Sequence, residues 1–232
     1  MKKFDQLCNR LLQEQYTITA REVLYKRYGK NVADSMIAKI KARGRDRYLE
    51  KKYALPDYSN KNLDKVIPVV FADLGTNEVA AEAMPKFPMI PQNIRLNFNS
   101  KYISPTIKEL EGGEASYQYQ DGSPLDVLGH ETTHTLQKGR IFKDHPLQYE
   151  IATMLGEIKR WYYKNKGILL DADATDAQIN AFIDYCNKRN IFNNVAYGRK
   201  INFEKLLRTS EGKEVFRRIV KQTPMKSDTM VA

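Results

Sequence analysis

The chain has 232 residues, 42% hydrophobic and 28% charged, which is the composition of an ordinary globular protein with one core or one core and an extension. No apolar run approaches the ~18 residues of a membrane-spanning helix. Its two cysteines, Cys8 and Cys186, stand too far apart for a disulfide framework or a Cys-based zinc site, and read as free thiols. The net charge of +10 is uneven: residues 1–54 hold fourteen Lys/Arg against six Asp/Glu, a net of +8.

Residues 3–15 carry Phe4, Leu7, Leu11 and Leu12 at helical spacing. Thr19-Ala20-Arg21-Glu22 is a capping box, which predicts a helix with Val23, Leu24 and Tyr28 inward and an end at Gly29. Asn31 is a candidate cap for a third helix, with Val32, Met36, Ile37 and Ile40 inward and Gly44 interrupting it; residues 45–53 add a further piece. Short basic helices invite a helix-turn-helix reading, with Lys/Arg contacting phosphates. The charges fall on several faces, however, so residues 1–60 read better as a basic helical extension with a solvated surface. Through residues 1–54 such an extension can dock on an acidic partner or nucleic acid, or fold over a site elsewhere. The polar, turn-rich residues 56–62 are the expected joint to a second unit, 61–232.

Residues 66–72 read as a strand in which Pro68 argues against a central position. Three prolines make 80–91 irregular. Residues 93–99 alternate, with Ile94, Leu96 and Phe98 on one face, and 102–104 extend them. A loop at 111–114, a last strand at 115–120 and a turn at 121–124 lead into a helix that stops near Gly139. Pro146 opens another, from about 147 to 163 or 164, with Ile151, Met154, Leu155, Ile158 and Trp161 as its apolar members. Residues 171–176 lack the glycine and glutamate of a calcium loop. They read instead as a helix start, with Thr175 and Gln178 as a capping box and Ile179, Phe182, Ile183 and Cys186 inward. Short helices near 202–208 and 210–221 complete an α+β chain that is mostly helical.

The chemistry concentrates in residues 129–138, which contain His130-Glu131-Thr132-Thr133-His134. Four residues apart on a helix, His130 and His134 share a face and can offer imidazole nitrogens to one Zn²⁺. Glu131 lies about 100° further round, beside the ion and off it, where a general base belongs. A catalytic zinc needs a third protein ligand. Glu150, Glu157, His145 and Asp144 all follow soon after. Glu150 and Glu157 are seven apart and share a helix face, so one can bind the ion while the other hydrogen-bonds a histidine.

With these residues the sequence resembles the zincin metallopeptidases, and among them the gluzincin type, in which a glutamate on the helix after HExxH completes the site. His130-Glu-Thr-Thr-His-Thr-Leu-Gln137 followed by Pro146-x-x-x-Glu150-x-Ala152 is similar to small bacterial and phage zincin-like domains, over about residues 62–165. The metzincin spacing is absent, since it would put a glycine at Gln137 and a histidine at Arg140. The resemblance implies a small twisted sheet packed on the HExxH helix, then a helix bearing the third ligand, with helical extensions at both ends. It implies Zn²⁺ held by His130, His134 and Glu150, Glu131 as the catalytic base, and a protein or peptide substrate added along an edge strand, for which residues 93–99 are the candidate. Two other uses of the scaffold stay open: a phage-particle or nucleic-acid-associated binding protein working through the basic N-terminal helices, and an endopeptidase of cell-wall peptides. Met1-Lys2-Lys3-Phe4-Asp5-Gln6 has no apolar segment behind it, so a cytoplasmic location is expected, or a virion if the chain is phage-encoded.

Overall fold

A computed structural model describes residues 16–42, 44, 46–84, 86, 88–89, 91–112, 127–137, 146–170, 173–189, 191 and 203–219. The helix expected at 3–15, the strand at 115–120, and Cys8, Asp144 and His145 lie outside them.

Strand β1 (Tyr16–Ile18) runs into helix α1 (Ala20–Tyr28). The capping box forms as its spacing requires: Thr19 Oγ1 accepts from the Glu22 N–H at 3.1 Å, and Glu22 Oε2 accepts from the Thr19 N–H at 2.8 Å. Gly29 ends the helix at φ 76°, a conformation that favours glycine. Helix α2 (Lys30–Ala42) follows without a break. Asn31 is therefore inside it and caps nothing; the Gly29 carbonyl already accepts from the Ala33 N–H. Met36 and Ile37 are buried, whereas Val32 and Ile40 only flank the core. Helix α3 (Arg47–Lys52) is capped by Asp46, and α4 (Asn60–Leu63) is a single turn that buries Leu63.

Strands β2 (Ile67–Ala72), β3 (Ala81–Met84) and β4 (Asn93–Asn97) complete a four-stranded mixed sheet in the order β1-β2-β4-β3. Four sequence expectations are corrected here. Strand β2 is interior despite Pro68. Its parallel pairing with β4 begins only at Val69↔Ile94, so at Pro68, opposite Thr17, the strand has a neighbour on one side alone. Residues 80–91 are not wholly irregular, since Ala81–Met84 pairs antiparallel with β4 ahead of the first proline. Strands β1 and β3, not residues 93–99, are thus the outer strands; Ile94 and Leu96 of β4 are fully buried, and Phe98 has already left the strand. Residues 102–104 turn into helix α5 (Ile103–Leu110) instead of extending β4. Pro105 sits in its first turn, where no intrahelical N–H bond is lost.

Helix α6 (Val127–Leu136) carries the HExxH residues. Helix α7 (Pro146–Lys166) is the longest, and α8 (Asp176–Lys188) starts at the Thr175–Gln178 capping box and buries Ile179, Phe182, Ile183 and Cys186. Helices α9 (Phe203–Leu207) and α10 (Ser210–Ile219) follow. The architecture is α+β and mostly helical. No helix among the described residues is long and apolar enough to cross a membrane.

Helix α6 is held from three sides. Leu128 packs on the sheet with Ile18, Val23, Ile67, Val69, Ile94 and Leu96. Leu136 packs with Leu24, Tyr28, Met36, Ile37 and Leu63. At its C-terminal end Pro56 pairs with Gln137, and the Leu136 carbonyl accepts from the Asp57 N–H at 2.6 Å. Strand β1 and helix α1, from the stretch read as an extension, therefore share their cores with the motif helix. A separate core joins α7, α8 and α10 through Met154, Leu155, Ile158, Phe182 and Phe216.

Candidate metal centre

Helix α6 buries most of its circumference, including His130 and Glu131, each 7% exposed. Gly129 makes room for this: a Cβ there would lie 1.4 Å from Nη2 of Arg27, a buried side chain of α1. The four-residue spacing brings His130 Nε2 and His134 Nε2 to 3.1 Å from each other. Glu150, in the second turn of α7, completes the group. Its Oε2 lies 3.2 Å from His130 Nε2 and its Oε1 3.3 Å from His134 Nε2. One ligand atom from each of the three residues falls within 4.8 Å of the others.

The opposite ring nitrogens fix what these atoms are. His130 Nδ1 lies 2.6 Å from Glu157 Oε1, and His134 Nδ1 lies 2.7 Å from Gln137 Oε1. Both partners are acceptors, so each Nδ1 carries the proton and a neutral ring presents a lone pair at Nε2. Two lone pairs and a carboxylate thus converge. Buried acceptors facing one another are costly unless something positive lies between them, and Glu150 Oε2 is buried with no hydrogen-bond donor.

Protons give one form of relief. Burial opposes charging His130, but the carboxylates of Glu157 and Glu150 outweigh it and hold its pKa well above the usual imidazole value. Burial would likewise raise Glu150, but His130 and His134 hold it well below the usual carboxylate range. A divalent cation gives the other form of relief, and the donor set, two imidazoles and a carboxylate, is one that such ions accept.

Glu131 stands apart from the three ligand atoms. Burial pushes its pKa up, and the two histidines offset this in part. Among the described residues it makes no hydrogen bond or ion pair. Glu157 does not join the ligand group; it approaches His130 from the far side of the ring. Of the tyrosines near the motif, Tyr162 is a packing residue, edge-on to Phe182 with centroids 5.2 Å apart. Sequence reasoning quoted Gln137 as part of the motif string without a role and passed over Thr153. Gln137 stands three residues after His134, and Thr153 three after Glu150, the spacing of one helix face.

Three of the N-terminal cations pair with carboxylates of the same chain. Arg21 pairs with Asp64, Lys39 with Asp173 at 3.3 Å and Lys52 with Glu211 at 2.7 Å. Comparison of the chain with protein-family models, with curated proteins and with solved structures finds no match.

Proposed function

We propose that the chain is a zinc-dependent metallopeptidase, in which His130, His134 and Glu150 hold the ion and Glu131 is the general base. The carrying observation is the convergence of three lone-pair donors beside the buried carboxylate of Glu131. In a tetrahedral zinc site with bonds of ~2.0–2.1 Å, neighbouring donor atoms stand about 3.3 Å apart. The two Nε2 atoms, 3.1 Å apart, match one edge of that tetrahedron, and Glu150 turns one oxygen to each, Oε2 3.2 Å from His130 and Oε1 3.3 Å from His134. With three protein donors, the fourth corner is left for water or substrate, as in catalytic sites.

Bound there, zinc supplies a Lewis acid for a peptide carbonyl and for water. The rest falls to the chain. Glu157 and Gln137 each accept from an Nδ1–H, the tautomer that leaves Nε2 free to bind the ion. Glu131 takes the proton of the attacking water and passes it to the leaving amine. A closed structural zinc site has no use for such a carboxylate. Strand β3 supports a peptide substrate, since it lies against α6 and its outer edge pairs with no strand among the described residues.

The test is zinc content by elemental analysis together with cleavage of a mixed peptide library read by mass spectrometry, on the parent and on Glu131→Gln. One zinc per chain in both, with cleavage by the parent only, is expected. No zinc in the parent after addition, or undiminished cleavage by the variant, overturns the proposal.

A further inference from the structure

The geometry points to Gln137 as a positioning residue that locks His134 for the ion and ties it to the helix carrying Glu150, an inference that rests on the metal-site reading above. The Gln137 side chain makes two bonds in opposite directions. Its Oε1 accepts from His134 Nδ1–H at 2.7 Å, and its Nε2 donates to Thr153 Oγ1 at 3.2 Å. Thr153 is buried and lies one helical turn after Glu150 on α7. The Gln137 backbone is itself anchored, paired with Pro56 and donating its N–H to the His134 carbonyl at 3.2 Å.

The amide is therefore a strut between α6 and α7 placed at the ligands. An amide suits both tasks, because one end only accepts and the other only donates. Reversing it would face its NH₂ toward His134, leave the imidazole to place its proton on Nε2, and remove that ligand. The donation to Thr153 fixes the orientation, so Thr153 acts on His134 through Gln137. The two histidines are thus held differently at Nδ1: His130 by the Glu157 carboxylate, and His134 by a neutral group that also spans the two helices.

The experiment measures zinc affinity by chelator competition on the full chain, and the His134 ring-nitrogen shifts by NMR in the zinc-loaded protein. Gln137→Met keeps the side-chain length and loses both bonds. Gln137→Glu keeps an acceptor for His134 Nδ1–H and can accept from the Thr153 hydroxyl. Thr153→Val removes the hydroxyl that accepts from Gln137 Nε2 and leaves Gln137 in place. Expected are about 10–100-fold weaker zinc binding in Gln137→Met, recovery of most of that loss in Gln137→Glu, and a several-fold loss in Thr153→Val that adds nothing when combined with Gln137→Met. The Nδ1–H signal of His134 should shift in Gln137→Met and in Thr153→Val. Should Gln137→Met fail to fold, Thr153→Val with the His134 signal decides alone. A parent that binds zinc while Gln137→Met binds within twofold of it, or additive effects of the two substitutions, overturns the inference and leaves the metal site standing. A parent that binds no zinc overturns both.

Discussion

The guanidinium of Arg27 fills the space beside Gly129 that any other residue there would claim with its side chain. Helix α1 thereby reaches the motif helix one residue before the first histidine. A Cβ at position 129 would fall 1.4 Å from Nη2 and 1.6 Å from Cζ, so the buried arginine would have to leave. Gly129→Ala is expected to destabilise the fold by about 1–3 kcal/mol, as overpacking does. Adding Arg27→Ala should cost less than the sum of the two single changes, because the contact they share is gone. Urea denaturation of the four proteins measures this, and strict additivity would refute the contact.

Glu150 and Glu157 should separate by their effect on the ion. Glu150→Ala removes a donor, and zinc is expected to be lost to a weak chelator. Glu157→Gln leaves all three donors and an acceptor for His130 Nδ1–H but removes a charge, and a loss of about 10–100-fold in affinity is expected. Equal, severe loss in both would make Glu157 a ligand.

Three surface carboxyls predict how the fold responds to acid. Arg21 holds Asp64 below the usual carboxylate range, Lys213 and Arg217 do the same to Asp176, and Lys52 to Glu211. A depressed carboxyl contributes stability above its ordinary pKa of about 4 and loses that contribution as pH falls through its folded value. All three are exposed, so each contribution is small. Asp176→Asn should melt slightly below the parent at pH 7, with the difference closing as pH falls below about 4. A difference that stays constant to pH 2 would mean that the ion pairs to Lys213 and Arg217 contribute nothing.

Cys186 should be silent to thiol reagents. It is fully buried among Phe182, Ile183 and their neighbours, and burial pushes its thiol well above the ordinary value. In a Cys8→Ser background, Ellman's reagent at pH 8 should find no reactive thiol in native protein and one in guanidinium. Prompt reaction of the native protein would contradict the packing of α8.

The parts of this molecule that were legible in its sequence are those set by neighbours in the chain. The capping boxes at Thr19 and Thr175 start their helices, and Ile179, Phe182, Ile183 and Cys186 turn inward as a period of 3.6 requires. His130 and His134 come together for the same reason. What stayed hidden depends on distant pairing. Strand β3 is short and carries two alanines, and it exists because Leu96 and its neighbours stand beside it. Pro68 looked peripheral because the sequence does not show that the pairing of β2 with β4 begins one residue later. Lys39 and Lys52 looked available to an acidic ligand, but their partners lie 134 and 159 residues away in the same chain. The same holds for Gln137: its spacing gives a face, and only the approach of α7 supplies Thr153.

The packing of α1 on α6 also sets a timetable during translation. Val23 and Leu24 leave the ribosome roughly a hundred residues before Leu128 and Leu136, the side chains they share a core with. At about 5–20 residues per second that interval is on the order of 5–20 s, during which β2 and Leu63 arrive to cover β1 and part of α1 while the face that meets α6 waits. Glu150 and Glu157 emerge later still. A nascent chain therefore has no place to load an ion until about two-thirds of it has been synthesised, and chaperone capture in that window should centre on residues 16–28.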